Sequence, residues 1–272
     1  MGAPVTTLLH RRYTSAQLNQ LIADAPDDVA TLTDDHRRSL TARFRAVASS
    51  EHRRLDAWLV ERAGQPTGPF RWNPMTARRV LGNAASRRVL AQPALSITEA
   101  VGDEIADQLL RATSGYCRAG SLAYWLSGES GPVHGLVIAE AVNWASATME
   151  AAQQILSPWR IAPSDAYYDV AAARTTLRGR RDLIIERRGE RIIIRLRAGA
   201  PGKSAGPGLR ADLTIDALAS PSGSAPARII GLWPEAGVCL AVDGTMDDLR
   251  AGARDLVRTA VARQRPRTPL AA

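Results

Sequence analysis

Asp182 stands among arginines in the stretch covering residues 174–199. A carboxylate in this setting either binds a cation or forms an ion pair with a guanidinium. Arg180, Arg195 and Arg197 all fall within the same stretch and crowd this acid. The residues alone therefore favour an ion pair, in which Asp182 lies at the end of a strand and is held by arginine.

The elements that position Asp182 are predicted from two apolar runs, Leu183–Ile185 and Ile192–Ile194. Isoleucine is β-branched and suits the pleated surface of a strand. Gly189 lies between the runs and supplies a tight turn. The stretch is thus predicted to form a β-hairpin with Asp182 at the start of its first strand. A strand over Tyr167–Ala173 is expected to lead into this hairpin.

The hairpin sequence GRRDLIIERRGERIIIRLRAG resembles the core of the RecB-like, or Cas4-like, branch of the PD-(D/E)XK nuclease superfamily. That family shows a Gly-x-x-Asp strand, a turn and a strand that ends in Asp-x-Lys-x-Gly. A helix with His lies upstream, and a helix with Gln and Tyr lies downstream. The resemblance covers Gly131–Leu240, under half of the chain. It implies that His134 and Asp182 match the family's metal-ligand positions.

The chain departs from the family pattern at the other positions. Arg195-Leu196-Arg197 stands in place of Asp-x-Lys, and Asp212 and Asp216 stand where Gln and Tyr are usual. Such nucleases need several oxygen or imidazole ligands around a divalent cation, whereas arginine puts a permanent positive charge there. The resemblance, with these departures, implies an inactive nuclease-like domain that needs no metal or other cofactor. Arg195 and Arg197 would then bind a phosphate or a protein partner.

A nuclease with a rearranged site is the alternative. The residual catalytic candidates are His134, Asp182 and Glu140, and Asp169 or Glu186 could replace the missing carboxylate. His134 and Asp182 would be the metal ligands of a magnesium- or manganese-dependent deoxyribonuclease. The simpler interpretation of His134 is a histidine at a helix start that hydrogen-bonds to the backbone.

The net charge of +8 is carried almost entirely by arginine, since Lys203 is the only lysine. A basic chain of this kind typically has a polyanionic partner, most often nucleic acid. The candidates for nucleic-acid contact are basic residues near the hairpin or in a helix predicted over Met75–Leu90, namely Arg78, Arg79, Arg87, Arg88, Arg180, Arg195, Arg197 and Lys203. We expect a DNA-binding or scaffolding subunit that acts with a partner enzyme in DNA processing, repair or phage defence. A protein-assembly module whose basic surface meets an acidic partner, without nucleic acid, is the third hypothesis.

The sequence gives little support to a metal–thiolate site, a membrane span or another enzyme class. Cys117 and Cys239 are too few for a CxxC zinc site or an iron–sulfur cluster, and two reduced cysteines favour a cytoplasmic protein. No apolar run approaches a membrane span, and the N-terminus has no signal-peptide core. No catalytic triad, HExxH motif or dinucleotide-binding loop can be assembled, so nuclease is the one enzyme class with support.

The predicted fold class is α/β, with a helical N-terminal part and a mixed-sheet, restriction-endonuclease-like core of αβββαβ order. We expect a helical region over residues 1–115, the core over residues 116–264 and a basic tail over residues 265–272.

Four further elements are predicted from periodicity and from Gly and Pro punctuation. A helical pattern that begins near Thr33 runs to about Ala63, and a long apolar helix covers Pro132–Leu156. A flexible loop is expected over Ala200–Leu209, followed by a helix over Ala211–Ala219.

Overall fold

The computed structural model of the chain describes residues 6–8, 14–47, 53–62, 71–114, 117–156, 159–162, 167–197 and 199–263. The chain divides into two compact units. Unit 1 comprises Met1–Pro66 and Pro158–Ala272, and unit 2 comprises Thr67–Ser157.

The described residues form nine helices and nine strands. The helices of unit 1 are α1 (Ser15–Ala23), α2 (Asp34–Val47), α3 (Ala57–Glu61), α8 (Ala205–Ala219) and α9 (Met246–Ala262). Those of unit 2 are α4 (Pro74–Ala91), α5 (Ile97–Thr113), α6 (Leu122–Ser127) and α7 (Gly131–Leu156). The strands lie in unit 1 and are β1 (Thr6–Leu8), β2 (Arg53–Asp56), β3 (Arg160–Ala162), β4 (Tyr167–Ala172), β5 (Thr175–Arg180), β6 (Leu183–Arg187), β7 (Glu190–Leu196), β8 (Arg228–Trp233) and β9 (Val238–Asp243).

The strands of unit 1 form two mixed sheets. The larger has the order β1-β9-β8-β7-β6-β3, with β7 parallel to β8, and the smaller has the order β2-β5-β4, with β2 parallel to β5. Helix α8 connects β7 to β8, since parallel neighbours need a crossover. Along the chain, α7, β3, β6, β7, α8 and β8 follow the order αβββαβ, with the β4–β5 pair inserted after β3. The predicted class, α/β with a helical part and a mixed-sheet core, is confirmed.

The predicted hairpin is formed by β6 and β7. Leu183 pairs with Ile194, and Ile185 pairs with Ile192, in an antiparallel register. Arg188 and Gly189 make the turn with φ of 49° and 86°, and two positive φ values in a two-residue loop match the twist of the flanking strands. The apolar runs and the glycine therefore identified both strands and the turn.

Helix α8 is buried on nearly its whole circumference, and it lies between the two sheets of unit 1. One stripe, which includes Leu209 and Leu213, packs with residues of β7, β8 and β9 in the larger sheet. A second stripe, Ala211 and Ile215, packs with α2, α9 and the smaller sheet. A helix buried on all sides leaves no solvent face for its polar residues, so the acids of α8 must find partners inside the protein.

Unit 2 is a helical unit with its own core. Helices α4, α5, α6 and α7 bury a common cluster that includes Leu81, Val101, Leu126 and Ala141. The boundary expected at residue 115 lies inside this unit, because α6 packs on α5 and α7 packs on α4. The boundaries of the compact units, after Pro66 and after Ser157, therefore differ from the expected boundary at residue 115.

Two predicted elements differ from those observed. The helical pattern from Thr33 to Ala63 is not one helix, because α2 ends at Val47 and the chain later forms β2 and α3. Helix α8 begins at Ala205, so half of the expected loop over Ala200–Leu209 is helical. The expected first strand is confirmed as β4, whereas the arginine-containing strand β5 was not predicted.

Candidate functional site

Asp182 precedes β6 and is buried, with 2% of its surface exposed. Its Oδ1 accepts a hydrogen bond from Arg180 Nε at 2.6 Å. Its Oδ2 accepts from the backbone N–H of Leu196 at 2.9 Å and from Arg195 Nη1 at 3.1 Å. Both carboxylate oxygens therefore have donors, and the predicted pairing of Asp182 with nearby arginines is confirmed.

Arg195 lies on β7 beside Asp182 and is 5% exposed. Its Nε donates to Asp212 Oδ2 at 2.8 Å while its Nη1 donates to Asp182, so the guanidinium lies between two buried carboxylates. This position follows from strand alternation, which puts Arg191, Arg195 and Arg197 on the same face of β7 as Ile193. Ile193 packs in the cluster that contains Leu209 of α8, so this face is directed at α8.

Arg197 extends the ion pairs to a second helix. Its Nη2 donates to Asp212 Oδ2 at 3.0 Å and lies 2.8 Å from Glu61 Oε1 of α3. Glu61 reaches this position because Gly208 has no side chain: a Cβ at Gly208 would overlap the Glu61 carboxylate. The small residue in α8 thus lets an acid of α3 reach the arginines of β7.

A second cluster surrounds Asp216, which is fully buried one turn after Asp212 on α8. Asp216 Oδ2 accepts from Arg181 Nε at 2.6 Å and from Tyr168 Oη at 3.0 Å. Arg191 Nη1 of β7 lies 3.3 Å from Asp216 Oδ1. The Tyr168 ring lies over its cross-strand partner Gly179, where a Cβ would collide with the ring.

The electrostatic balance in this region favours the charged forms of the central pair. Burial alone would raise the pKa of Asp182, but Arg180, Arg195 and the Leu196 amide outweigh it and lower that pKa below its ordinary value of 3.8. Burial also works against the charge of Arg195, yet Asp212 and Asp182 raise the Arg195 pKa above its ordinary value. At the edge of the cluster, burial raises the pKa of Asp56 and of Glu61.

The two clusters lie in the interior of unit 1, where Asp212 of the first acts electrostatically on Tyr168 of the second, and we refer to them together as the network. It contains five acids, Asp56, Glu61, Asp182, Asp212 and Asp216, and five arginines, Arg180, Arg181, Arg191, Arg195 and Arg197. The formal charges of these ten side chains balance, and pairing with opposite charges offsets the cost of burying them. The arrangement therefore holds α3, α8, β5 and β7 together.

Sequence reasoning singled out Arg180, Arg195 and Arg197 of this network, but not Arg181, Arg191 or the acids that they meet. Asp212 and Asp216 stand out in the sequence only as departures from a family pattern, and Asp56 and Glu61 lie within the helical pattern predicted from Thr33 to about Ala63. The available signal was the four-residue spacing of Asp212 and Asp216, which puts both on one helix face. Alternating arginines on a predicted strand were the complementary signal.

The expected nucleic-acid contacts of Arg195, Arg197 and Arg180 stay predictions. The structure directs all three guanidiniums to internal carboxylates, which leaves few donors for a phosphate. Lys203 is exposed and lies just before α8.

The basic residues of α4 also have internal partners. Arg88 forms ion pairs with Glu104 and Asp107 of α5, and Arg78 Nη1 lies 2.7 Å from Glu140 Oε2 of α7. Arg79 and Arg87 likewise interact with other residues. Much of the positive charge of this helix is therefore neutralised within unit 2.

His134 and Asp182, the expected metal-ligand pair, lie in different units. His134 Nε2 lies 2.7 Å from the Leu126 carbonyl oxygen, which confirms the interpretation of a histidine that bonds to the backbone. Glu140 pairs with Arg78 in unit 2, while Asp169 in unit 1 pairs with Arg178 at 2.8 Å.

The described residues contain no group of three or more His, Cys, Asp or Glu side chains placed to hold a metal ion. Glu186, the other proposed replacement carboxylate, is exposed and lies opposite Arg191 in the hairpin. Cys117 is half-buried and Cys239 is buried, and both are free thiols. Burial raises the Cys239 pKa to about 12.

No helix in the described ranges combines the length and the apolar character that crossing a bilayer would need. Comparison of the chain with models of protein families, with curated proteins and with solved structures gave no match.

Proposed function

We propose that this chain is a non-catalytic, nuclease-like DNA-binding subunit that works with a partner enzyme in DNA processing, repair or phage defence. The observation that carries the non-catalytic part is the Arg195 guanidinium, which lies between the carboxylates of Asp182 and Asp212. In a metal-dependent nuclease of the family that this sequence resembles, the carboxylate at the position of Asp182 would bind a divalent cation.

The ion pairs leave Asp182 poorly suited to hold a cation. Each of its oxygens already accepts from arginine or from a backbone N–H. A divalent cation brought to the same oxygens would be repelled by Arg195 and Arg180, and this repulsion is strong away from bulk water. Asp182 therefore supports a structural role better than a role in hydrolysis.

The DNA-binding part of the proposal is supported by net charge. The interior network is balanced, so the excess of +8 is not contained in it. Positive charge outside the core attracts a polyanion, and the release of counterions makes such binding sensitive to salt. Lys203, exposed before α8, is the predicted contact that is best placed for a phosphate.

The test uses the full chain with labelled duplex and single-stranded DNA, with and without magnesium or manganese. We expect binding that weakens steeply with salt and no cleavage products. Lys203→Glu should weaken binding by about threefold or more, because one phosphate contact is replaced by repulsion. The matched control is Arg38→Ala, since exposed Arg38 is already paired with Asp35 at 2.6 Å, and its affinity should stay within about twofold.

Two outcomes would replace this proposal. Metal-dependent cleavage that disappears in Asp182→Ala would establish the nuclease with a rearranged site. Failure to bind DNA at low salt would favour the protein-assembly module instead. The internal pairing of Arg78 and Arg88 favours that second candidate, because it removes basic residues from the surface available to DNA.

A further inference from the structure

A groove lies between α2 and α9 on the outside of unit 1. Its volume is about 270 Å³. Its apolar lining includes Leu40 of α2 together with Met246 and Leu249 at the start of α9. Leu40 and Leu249 are buried side chains of the core, so the floor of the groove is fixed by the packing of the two helices.

Three arginines line this groove: Arg43 from α2, and Arg250 and Arg254 from α9. All three are exposed. Arg250 and Arg254 are four residues apart, which places them on one face of α9. His36 lines the groove on the α2 side, and no Asp or Glu is among the lining residues.

These arginines differ from those of the interior network in their partners. Among the described residues, Arg43 and Arg254 form no ion pair within 4 Å and no side-chain hydrogen bond, although the charge of Arg254 acts on the neighbouring Asp255. The one ion pair of Arg250 there is a contact of 3.8 Å with Asp247 on its own helix. Their donors are therefore available to an external anion. Arginine forms paired hydrogen bonds with carboxylates as well as with phosphates.

The combination of an apolar floor and a basic rim distinguishes between partners. A DNA duplex is too wide to enter a groove of about 270 Å³, and the residues that line it include no Phe, Tyr or Trp on which a single-stranded base would stack. A peptide satisfies both features, because an apolar side chain fills the groove while neighbouring carboxylates meet the arginines.

We infer that the groove between α2 and α9 is a docking site for an acidic peptide segment of a partner protein, anchored by an apolar side chain. The inference goes beyond the proposed DNA binding and does not depend on it. It gives the partner a defined chemistry, in which acidic residues flank an aliphatic anchor.

The probe is a short fluorescein-labelled peptide of glutamates around a central leucine, titrated with the full chain and followed by fluorescence anisotropy. Two matched peptides replace the leucine with serine or the glutamates with glutamine. We expect the first peptide to bind in a salt-sensitive manner, and each replacement to weaken binding by about tenfold or more.

Two variants locate the binding. Ala253→Trp fills the groove, because half-buried Ala253 lines it. The double variant Arg43→Glu with Arg254→Glu reverses two exposed charges and leaves the core unchanged. Each should weaken binding by about tenfold, while Arg258→Glu, an exposed control one turn further along α9 and outside the groove lining, should have little effect.

The inference is overturned if the peptide does not bind at low salt, or if both groove variants bind it as tightly as the natural chain. It is also overturned if unlabelled duplex DNA displaces the peptide and the double variant loses DNA affinity to the same extent, since the groove would then be a nucleic-acid surface. DNA binding that survives the double variant would keep the two proposals separate.

Discussion

Asp182 and Arg195 form a buried ion pair in unit 1. A buried ion pair adds little net stability compared with apolar packing, because both charges lose their hydration. Removing one partner is much more costly, because it leaves the other charge buried without compensation. Arg195 has 5% of its surface exposed and so has little access to water.

Asp182→Asn should therefore destabilise unit 1 by about 3 kcal/mol or more. The variant keeps the size of the side chain but removes the charge that faces Arg180 and Arg195. Thiol labelling of Cys239 across a urea titration, in a Cys117→Ser background, measures this loss. Cys239 is fully buried in β9 and reacts only when unit 1 opens.

Asp169→Asn is the matched control for this prediction. Asp169 also pairs with an arginine, Arg178, but 39% of its side chain is exposed. Exposed pairs contribute little, so the loss should stay below about 1 kcal/mol. Equal losses for the two variants would show that the Asp182 ion pairs carry no special weight in the fold.

The sequence predicted those side-chain interactions whose partners lie close together along the chain. The crowding of Asp182 by arginines and the backbone bond of His134 were both predictable, because each depends on neighbours near in sequence or across one hairpin. Asp56 and Glu61 were not predictable as partners, because they lie far from β7 in the sequence and their distance is set by packing. A local pattern cannot indicate which acid a buried arginine will reach.

Helix α8 is the element on which the packing of unit 1 depends. It contacts both sheets, α3 and α9, and its Gly208 lets Glu61 of α3 approach closely. Gly252 of α9 faces α8 so closely that an added Cβ would overlap the Arg210 carbonyl oxygen. Backbone atoms cannot move aside as the end of a flexible side chain can.

Gly252→Ala should accordingly destabilise unit 1 by about 1–3 kcal/mol, because a methyl group is forced into a filled interface. The reverse is expected for Gly102→Ala in α5, where an added Cβ meets nothing within 4 Å. Alanine there should stabilise the helix by up to about 1 kcal/mol. Urea unfolding followed by circular dichroism checks both signs, and a neutral Gly252→Ala would contradict the close packing of α8 and α9.

Periodicity and turn chemistry predicted the long helices α4 and α7, strand β4 and the hairpin, but not the three shortest strands of unit 1 or β5. The hairpin β6–β7 was predictable because its isoleucines are local and its turn needs glycine. Strand β5, Thr175–Arg180, carries two arginines, and its alternate residues are buried only because β2 and β4 pair with it. Its strand character thus comes from tertiary neighbours, which periodicity does not report.

The interior network of unit 1 and the chain as a whole differ in net charge. The network in unit 1 is neutral, whereas the chain as a whole carries +8. Two groups of acids in this network respond to pH in opposite ways. The folded pKa of Asp182 is lowered, and those of Asp56 and Glu61 are raised.

The directions of these pKa shifts predict how the stability of unit 1 changes on acidification. The contribution of Asp182 is fully present above its unfolded pKa of 3.8 and is lost as the pH falls through its lower folded value. The burial of Glu61 costs stability when the residue is charged, and this cost is relieved as the pH falls from above its folded pKa towards its ordinary value of 4.5. Unfolding free energies of the natural chain, Asp182→Asn and Glu61→Gln, measured from neutral pH to below 3.8, separate the two effects.

The free energy of unfolding of Asp182→Asn should lack the fall that the natural chain shows below pH 3.8. That of Glu61→Gln should lack the rise that the natural chain shows as the pH falls towards 4.5. Identical pH profiles for all three chains would show that neither carboxylate has the folded pKa that its surroundings require.

Helix α1 ends at carbonyl groups that are held by arginines from distant strands. Arg187 donates to the Ala23 carbonyl across 164 residues of sequence, and Arg228 donates to that of Leu21 across 207 residues. Ribosomes make a chain from its N-terminus, so α1 leaves the exit tunnel long before either guanidinium has been synthesised. The nascent helix must therefore wait, with its last turn in water or on a chaperone, until β8 emerges and the end of α1 can dock.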